Sequence, residues 1–163
     1  MRILGIDPGL NVTGYGVLAV SAGQSEIVEA GVIRVPKSKH IGKRLKSLHA
    51  DITDVIQSLK PDVVSLEELY SHYERVKTAI IMGHARGVIC LAAAQLDLTV
   101  SHYGATQVKK VLTGNGRAPK SQVQLAVARH LHLEDVPDPP DIADALGLAL
   151  CHYYLNLRHE NFP

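Results

Sequence analysis

The stretch Arg2-Ile3-Leu4-Gly5-Ile6-Asp7-Pro8-Gly9-Leu10-Asn11, continued by Val12-Thr13-Gly14-Tyr15-Gly16-Val17-Leu18-Ala19-Val20, decides the fold. Arg2–Asp7 is an apolar strand that ends on an acid and breaks at Pro8-Gly9. Thr13–Val20 is a second strand carrying Gly14 and Gly16. The turn Ser21-Ala22-Gly23-Gln24-Ser25 leads into a third, Glu26–Val35. Links this short join only antiparallel neighbours, so the chain opens as a three-stranded meander.

Downstream the apolar period changes. Leu45, Leu48, Ile52, Val55 and Leu59 recur every three or four residues, which predicts an amphipathic helix stopped by Lys60-Pro61-Asp62. Val63-Val64-Ser65-Leu66-Glu67 reads as a buried strand. A long helix over Glu74–Gln95 precedes a short strand at Thr99–Tyr103. Helices are predicted at Ala105–Leu112 and Lys120–His130, and a last one at Asp141–Leu157 after the Pro-rich link Val136–Pro140. Strands joined through helices pair in parallel with right-handed crossovers. The expected architecture is therefore α/β, a mixed five-stranded sheet of three antiparallel then parallel strands, flanked by helices on both faces.

The length of 163 residues suits one domain, residues 1–163, with one sizeable core. An apolar fraction of 46% with 20% charged residues excludes a disordered tail, a rod or a disulfide-stapled miniprotein. Cys90 and Cys151 fall in no metal-ligand spacing and read as reduced core thiols. No leader precedes the first strand, and the longest apolar run, Gly87 to Ala94, is short of the roughly 20 residues that span a bilayer. These features predict a soluble, cytoplasmic, unprocessed protein without a membrane partner.

Net charge is only +1, but the charges are blocked. No acid lies between Asp97 and Glu134, where Lys109, Lys110, Arg117, Lys120 and Arg129 fall. A second acid-free stretch, Arg34 to Ala50, carries Arg34, Lys37, Lys39, Lys43, Arg44 and Lys46. Acids gather at Glu134, Asp135, Asp138, Asp141 and Asp144. Such blocks suit either an anionic polymer meeting basic stretches around an acidic centre or an ordinary solvated surface.

Four acids stand out by position. Asp7 and Glu67 each close an apolar strand, where a carboxylate is costly to desolvate without a cation. If those strands pair in parallel, the two carboxylates lie side by side on one sheet face. Asp141 and Asp144 share one face at the start of the last helix. Asp141 alone reads as a helix N-cap, and Asp7-Pro8-Gly9 equally as a turn. Asp144 sits instead in the apolar setting of Ala145-Leu146-Gly147-Leu148-Ala149-Leu150. Converging carboxylates without matching cations favour a hard divalent ion, Mg²⁺ first. Two such ions would activate a water and stabilise the leaving oxygen of a phosphodiester.

Other features resolve differently. Lys120-Ser121 lacks the preceding glycine of a phosphate loop, since Pro119 stands there. The nine histidines contain no HExxH and read as ordinary half-buried or surface residues. Tyr70 and Tyr73 follow the fourth strand, where an aromatic could stack on an unpaired base or simply pack. Small residues on the long helix, Gly83, Ala85, Gly87 and Ala92–Ala94, allow close approach of another helix, from the same chain or a second copy; Arg75, Lys77 and Arg86 lie on or beside it.

Taken in order, Gly5-Ile6-Asp7-Pro8-Gly9, Thr13-Gly14-Tyr15-Gly16-Val17, Leu66-Glu67, His84-Ala85-Arg86-Gly87-Val88, Gln107-Val108-Lys109, Lys120-Ser121-Gln122-Val123 and Asp141-Ile142-Ala143-Asp144-Ala145-Leu146 resemble the RuvC-type Holliday-junction resolvases. The resemblance runs across nearly the whole chain. It implies a ribonuclease-H-like fold and a homodimeric, Mg²⁺-dependent endonuclease that resolves four-way DNA junctions by symmetric paired nicks in recombination and repair. It implies two Mg²⁺ per site, replaceable by Mn²⁺, held by Asp7, Glu67, Asp141 and Asp144, with ligatable 5′-phosphate and 3′-hydroxyl products. Lys109 and Lys120 match lysines placed near the scissile phosphate, and Tyr70 stands where the family commonly has a stacking Phe. Arg75, Lys77 and Arg117 are further DNA-contact candidates. The RuvA–RuvB branch-migration complex is the partner the resemblance implies.

Three other functions remain to be separated by experiment. The same fold could serve a nuclease acting on RNA or simple duplex. Actin-like ATPases and sugar kinases share a first strand ending Gly-Ile-Asp-x-Gly, but they clasp nucleotide between two such domains. A module that binds junctions without cutting them would gain nothing from clustered carboxylates.

Overall fold

In the computed structural model, which describes residues 1–69 and 76–156, the elements follow the predicted order. Strands β1 (Arg2–Asp7), β2 (Val12–Ser21) and β3 (Gln24–Arg34) form the meander. Helix α1 (Ile41–Leu59), β4 (Val63–Glu67), α2 (Val76–Gln95) and β5 (Thr99–Tyr103) follow. Helices α3 (Ala105–Thr113), α4 (Lys120–His130) and α5 (Pro140–Asn156) complete the chain. The expected first residue of the long helix, Glu74, and last residue of the final one, Leu157, lie outside the described residues.

The five strands form one sheet in the order β3-β2-β1-β4-β5. β1 runs antiparallel to β2 and parallel to β4, which is parallel to β5. Registration of Ile6 with Leu66 sets the next residues, Asp7 and Glu67, at the ends of neighbouring strands. Because side chains alternate, Ile3, Gly5 and Asp7 share one face with Val63, Ser65 and Glu67. Ile3 and Val63 belong to a core shared with α3, α4 and α5. Leu4, Ile6, Val64 and Leu66 face the opposite core, closed by α1 and α2.

Local chemistry marks the helix ends. α1 stops where Lys60 turns left-handed, φ 48°, and returns its amide to the Ile56 carbonyl before Pro61. α3 ends at Gly114, φ 78°, a conformation glycine adopts without steric cost. Pro140 opens α5, so Asp141 lies within its first turn rather than capping it from outside.

α2 is the one described helix long and apolar enough, by length and composition, to cross a membrane, although its longest uninterrupted apolar run is short. In this fold Ala85, Ile89, Ala92 and Ala93 bury against the sheet and α1 instead.

α5 is the most deeply buried helix and fixes the layer that carries the acids. Three glycines make room for it. A Cβ on Gly5 would strike the Ala145 carbonyl and the Ala149 amide; on Gly14, the Asp141 carbonyl; on Gly16, the Leu146 side chain. The buried Ser65 hydroxyl donates to the Leu148 carbonyl at 2.7 Å, tying β4 to the same helix. Backbone thus meets backbone at Gly5, and no side chain can yield there. We expect Gly5→Ala to lower the thermal midpoint by more than about 10 °C, or to prevent folding, through overpacking. Gly42→Ala, facing open space in α1, should leave it within about 2 °C in the same calorimetric scan.

Candidate active site

Asp7 and Glu67 leave the ends of β1 and β4 and point under α5, whose first turns bring Asp141 and Asp144. Asp7, Glu67 and Asp144 line a cleft of about 280 Å³ together with Lys109 and Val108 of α3, Lys120 and Val123 of α4, and Gly147 and Leu148 of α5. Asp141 stands outside the cleft wall, one turn before Asp144, yet its charge reaches both Asp7 and Lys120.

Electrostatics follow from that crowding. Burial raises the Asp7 pKa from 3.8 to about 7, with Glu67, Asp144 and Asp141 adding like-charge repulsion and Lys120 opposing it. Glu67 is also raised, first by burial and then by Asp144; Arg86, Lys120 and Lys109 oppose the shift. The Lys120 ammonium stands 2.5 Å from the Asp144 carboxylate, and that hydrogen bond raises the lysine's own pKa against its partial burial. The one ion pair, Lys120 with Asp144, leaves the other three carboxylates without a directly paired cation among the described residues. The donor set is all hard oxygen, which suits a magnesium-like ion. Among the described residues, however, no three His, Cys, Asp or Glu side chains converge closely enough to enclose one. The acids are gathered but stand apart, and Asp144 is paired with Lys120.

The sheet, the cleft and its charges have a counterpart among known proteins. The family model described as "Crossover junction endodeoxyribonuclease RuvC" matches residues 3–152. The chain belongs to the RuvC family. The RuvC of Rhodopirellula baltica is 54% identical over 153 residues, spanning 94% of this chain and 86% of its own. The structure of Thermus thermophilus RuvC superposes with a TM-score of 0.85 at 34% identity, covering 94% of each chain. A second structure, T. thermophilus RuvC in complex with Holliday junction substrate, gives 0.84 at 30% identity over the same shares. The ribonuclease-H-like architecture expected from the sequence is the architecture of this RuvC chain.

The other sequence candidates are dispersed. Lys109 is half-buried in the cleft wall and Lys120 mostly exposed at its mouth. Arg117 is exposed in the α3–α4 loop, its amide held by the Asn115 side chain at 3.0 Å. Lys77 is exposed at the start of α2, away from the cleft lining. Tyr70 and Arg75 lie outside the described residues.

Sequence reasoning left Arg86 on its helix without a role in the site. The structure sets its guanidinium 3.1 Å from His102 Nδ1 and close enough to favour the charged form of Glu67. No spacing rule links Arg86 to Glu67, because the crossover from β4 to β5 brings them together.

A proton-binding acid makes stability depend on pH. With its folded pKa near 7 and an ordinary value of 3.8, Asp7 binds more protons in the native state than in the unfolded state. Its contribution is therefore fully present below about pH 4 and lost as pH rises through 7. In EDTA, thermal scans from pH 4 to 8 should show the wild type falling relative to Asp7→Asn, with the variant about 5 °C more stable at pH 8. Parallel curves would refute the electrostatic account.

Proposed function

We propose that this RuvC-family chain is a single-domain endonuclease that resolves four-way DNA junctions by paired nicks in opposed strands, in recombination and repair. What carries the proposal is the cleft that brings Asp7, Glu67 and Asp144 against Lys109 and Lys120 at the end of β1. The R. baltica relative is named a crossover junction endodeoxyribonuclease, and a T. thermophilus relative is described with a Holliday junction substrate.

Asp7, Glu67, Asp141 and Asp144 are the residues that would hold divalent cations, Mg²⁺ first and Mn²⁺ in its place. Such cations, when bound, supply an activated water and stabilise a departing oxygen. The chain's own residues do the positioning. Asp7 and Glu67 are fixed by two strand ends rather than loops, so the acids stay in place while DNA enters. Lys120 exchanges its Asp144 carboxylate for a phosphate oxygen, and Lys109 supports the same strand from α3. The apolar floor of Val108, Val123, Leu148 and Gly147 keeps the local dielectric low, which strengthens those charges. Cleavage leaves a 5′-phosphate and a 3′-hydroxyl, the ends a ligase seals.

The exposed face of α2 supports a homodimer. Val76, Ile80 and Leu91 are 50%, 56% and 52% exposed, and they line up with His84 and Gly87 at three- and four-residue intervals. Space beside Gly87 is open, so a second helix can approach closely. A two-fold enzyme on a two-fold junction places its two sites on opposed strands. The same function sets the chain in the cytoplasm, working with the RuvA–RuvB branch-migration complex.

The deciding assay incubates the protein with a synthetic four-way junction and a linear duplex of matching sequence, in Mg²⁺ or EDTA. Symmetric, ligatable nicks on the junction alone, absent in EDTA, are expected. Asp7→Asn should keep junction binding and abolish cleavage, and Lys120→Ala should slow it about 100-fold. Cleavage by Asp7→Asn at the wild-type rate would overturn the site assignment, and equal cutting of both substrates would point to another nuclease of this fold. Sedimentation should find wild type dimeric and Ile80→Asp monomeric with its thermal midpoint preserved; a monomeric wild type would remove the α2 interface.

A further inference from the structure

A second cluster of cations lies at the same end of the sheet, on the opposite face from Asp7. Asn11, Lys37, Ser38, Lys39 and Arg44 line an open cleft of about 460 Å³ between the β1–β2 turn, the segment after β3, and the start of α1. The Arg44 guanidinium is aimed into the turn, donating from Nη2 to the Leu10 carbonyl at 2.9 Å and to the Asn11 side chain at 2.6 Å. Its Nε is buried without a partner. Among the described residues the one ion pair is Lys120 with Asp144, so no carboxylate neutralises Arg44, Lys37 or Lys39. α1 adds to the field, since no side chain caps its N-terminus and no acid occupies its first turn. Three cations without a carboxylate partner among the described residues therefore surround one cleft.

The position limits which anion. Asp7 pairs with Gly14, and Val12 with Arg34, so Asn11 and the residues after Arg34 lie beyond the strand end that carries Asp7. Asn11 is four Cα steps on from Asp7, which bounds their backbone separation at about 14 Å. One strand of duplex rises roughly 3.4 Å per nucleotide, so that span is about four nucleotides at most.

We propose that this cleft is a second phosphate subsite, holding backbone phosphates of the cleaved DNA strand within about four nucleotides of the scissile bond. It rests on the nuclease function proposed above. A strand crossing the end of β1 is then held on both sides of the sheet, by Lys109 and Lys120 on the α5 side and by Arg44, Lys37 and Lys39 on the α1 side. Arg44 spans the two roles, because the turn it braces begins directly after Asp7-Pro8-Gly9.

The test is equilibrium binding of a fluorescent four-way junction to the full chain in EDTA, from 50 to 300 mM salt. The Lys37→Ala/Lys39→Ala double variant should bind on the order of ten-fold more weakly at mid-range salt, and the slope of log K against log salt should fall by about 2. Both side chains are exposed, so its thermal midpoint should match wild type. Arg44→Lys should keep the wild-type slope and Arg44→Ala should lower it by about 1. An unchanged slope in the double variant would overturn the subsite, as would an Arg44→Ala variant that loses affinity with no change in slope. A wild-type chain that neither binds nor cuts junctions would overturn the nuclease function and the subsite with it.

Discussion

The contact between α5 and the glycines of β1 and β2 is the constraint on which the rest depends. Gly5 and Gly14 let helix backbone rest directly on sheet backbone, and Gly16 receives Leu146. A conventional helix–sheet layer is held off by intervening side chains. Here the missing Cβ atoms let α5 lie inward, so the acids of its first turns reach Asp7, which stands opposite Gly14 in the β1–β2 ladder. The same depression creates the electrostatic difficulty. Four carboxylates share a partly dry space with one ion-paired ammonium, and the Asp7 pKa near 7 records the cost. Fold and chemistry are coupled through those few glycines.

The two faces of the sheet divide the labour. The α3–α4–α5 layer carries the cleft, its acids and its lysines. The α1–α2 layer carries a second core and two surface features of different character: an exposed apolar stripe on α2 and a cationic cleft at the start of α1. Because β1 and β4 separate the layers, a substitution on the α2 stripe leaves the carboxylates untouched. Arg86 is an exception, since it sits on α2 and still acts on Glu67 at the strand end.

Much of this was legible in the sequence, for physical reasons that differ by element. The meander followed from turn lengths alone, and β4 and β5 from short apolar runs between helices. Asp7, Glu67 and Asp144 stood out because an acid at the end of an apolar segment is rare without a partner. Other features were not legible. Gly14 and Gly16 looked like ordinary strand residues, because only the position of α5 explains why they must lack a side chain. Asp141 alone looked like a cap, since helix start and cleft neighbour differ by one residue of register. The Arg44 bracing of Leu10 and Asn11 joins residues more than thirty apart and leaves no local pattern. Charge blocking did hint at it, as six cations without an acid between Arg34 and Ala50.

The pairing of Ile6 with Leu66 has a consequence for how this chain can change over evolutionary time. Each strand delivers one acid to the cleft by parity, counting from residues whose neighbours are fixed in both cores. Inserting or deleting a single residue within β1 or β4 would turn its acid to the opposite face, among Leu48, Ile52 and Ile89, while leaving composition nearly unchanged. Such a strand tolerates replacement of its apolar residues by others of similar volume far better than any alteration of its length. In β1 and β4, length is therefore the inherited character, and the identity of the intervening aliphatic residues is free to drift around it.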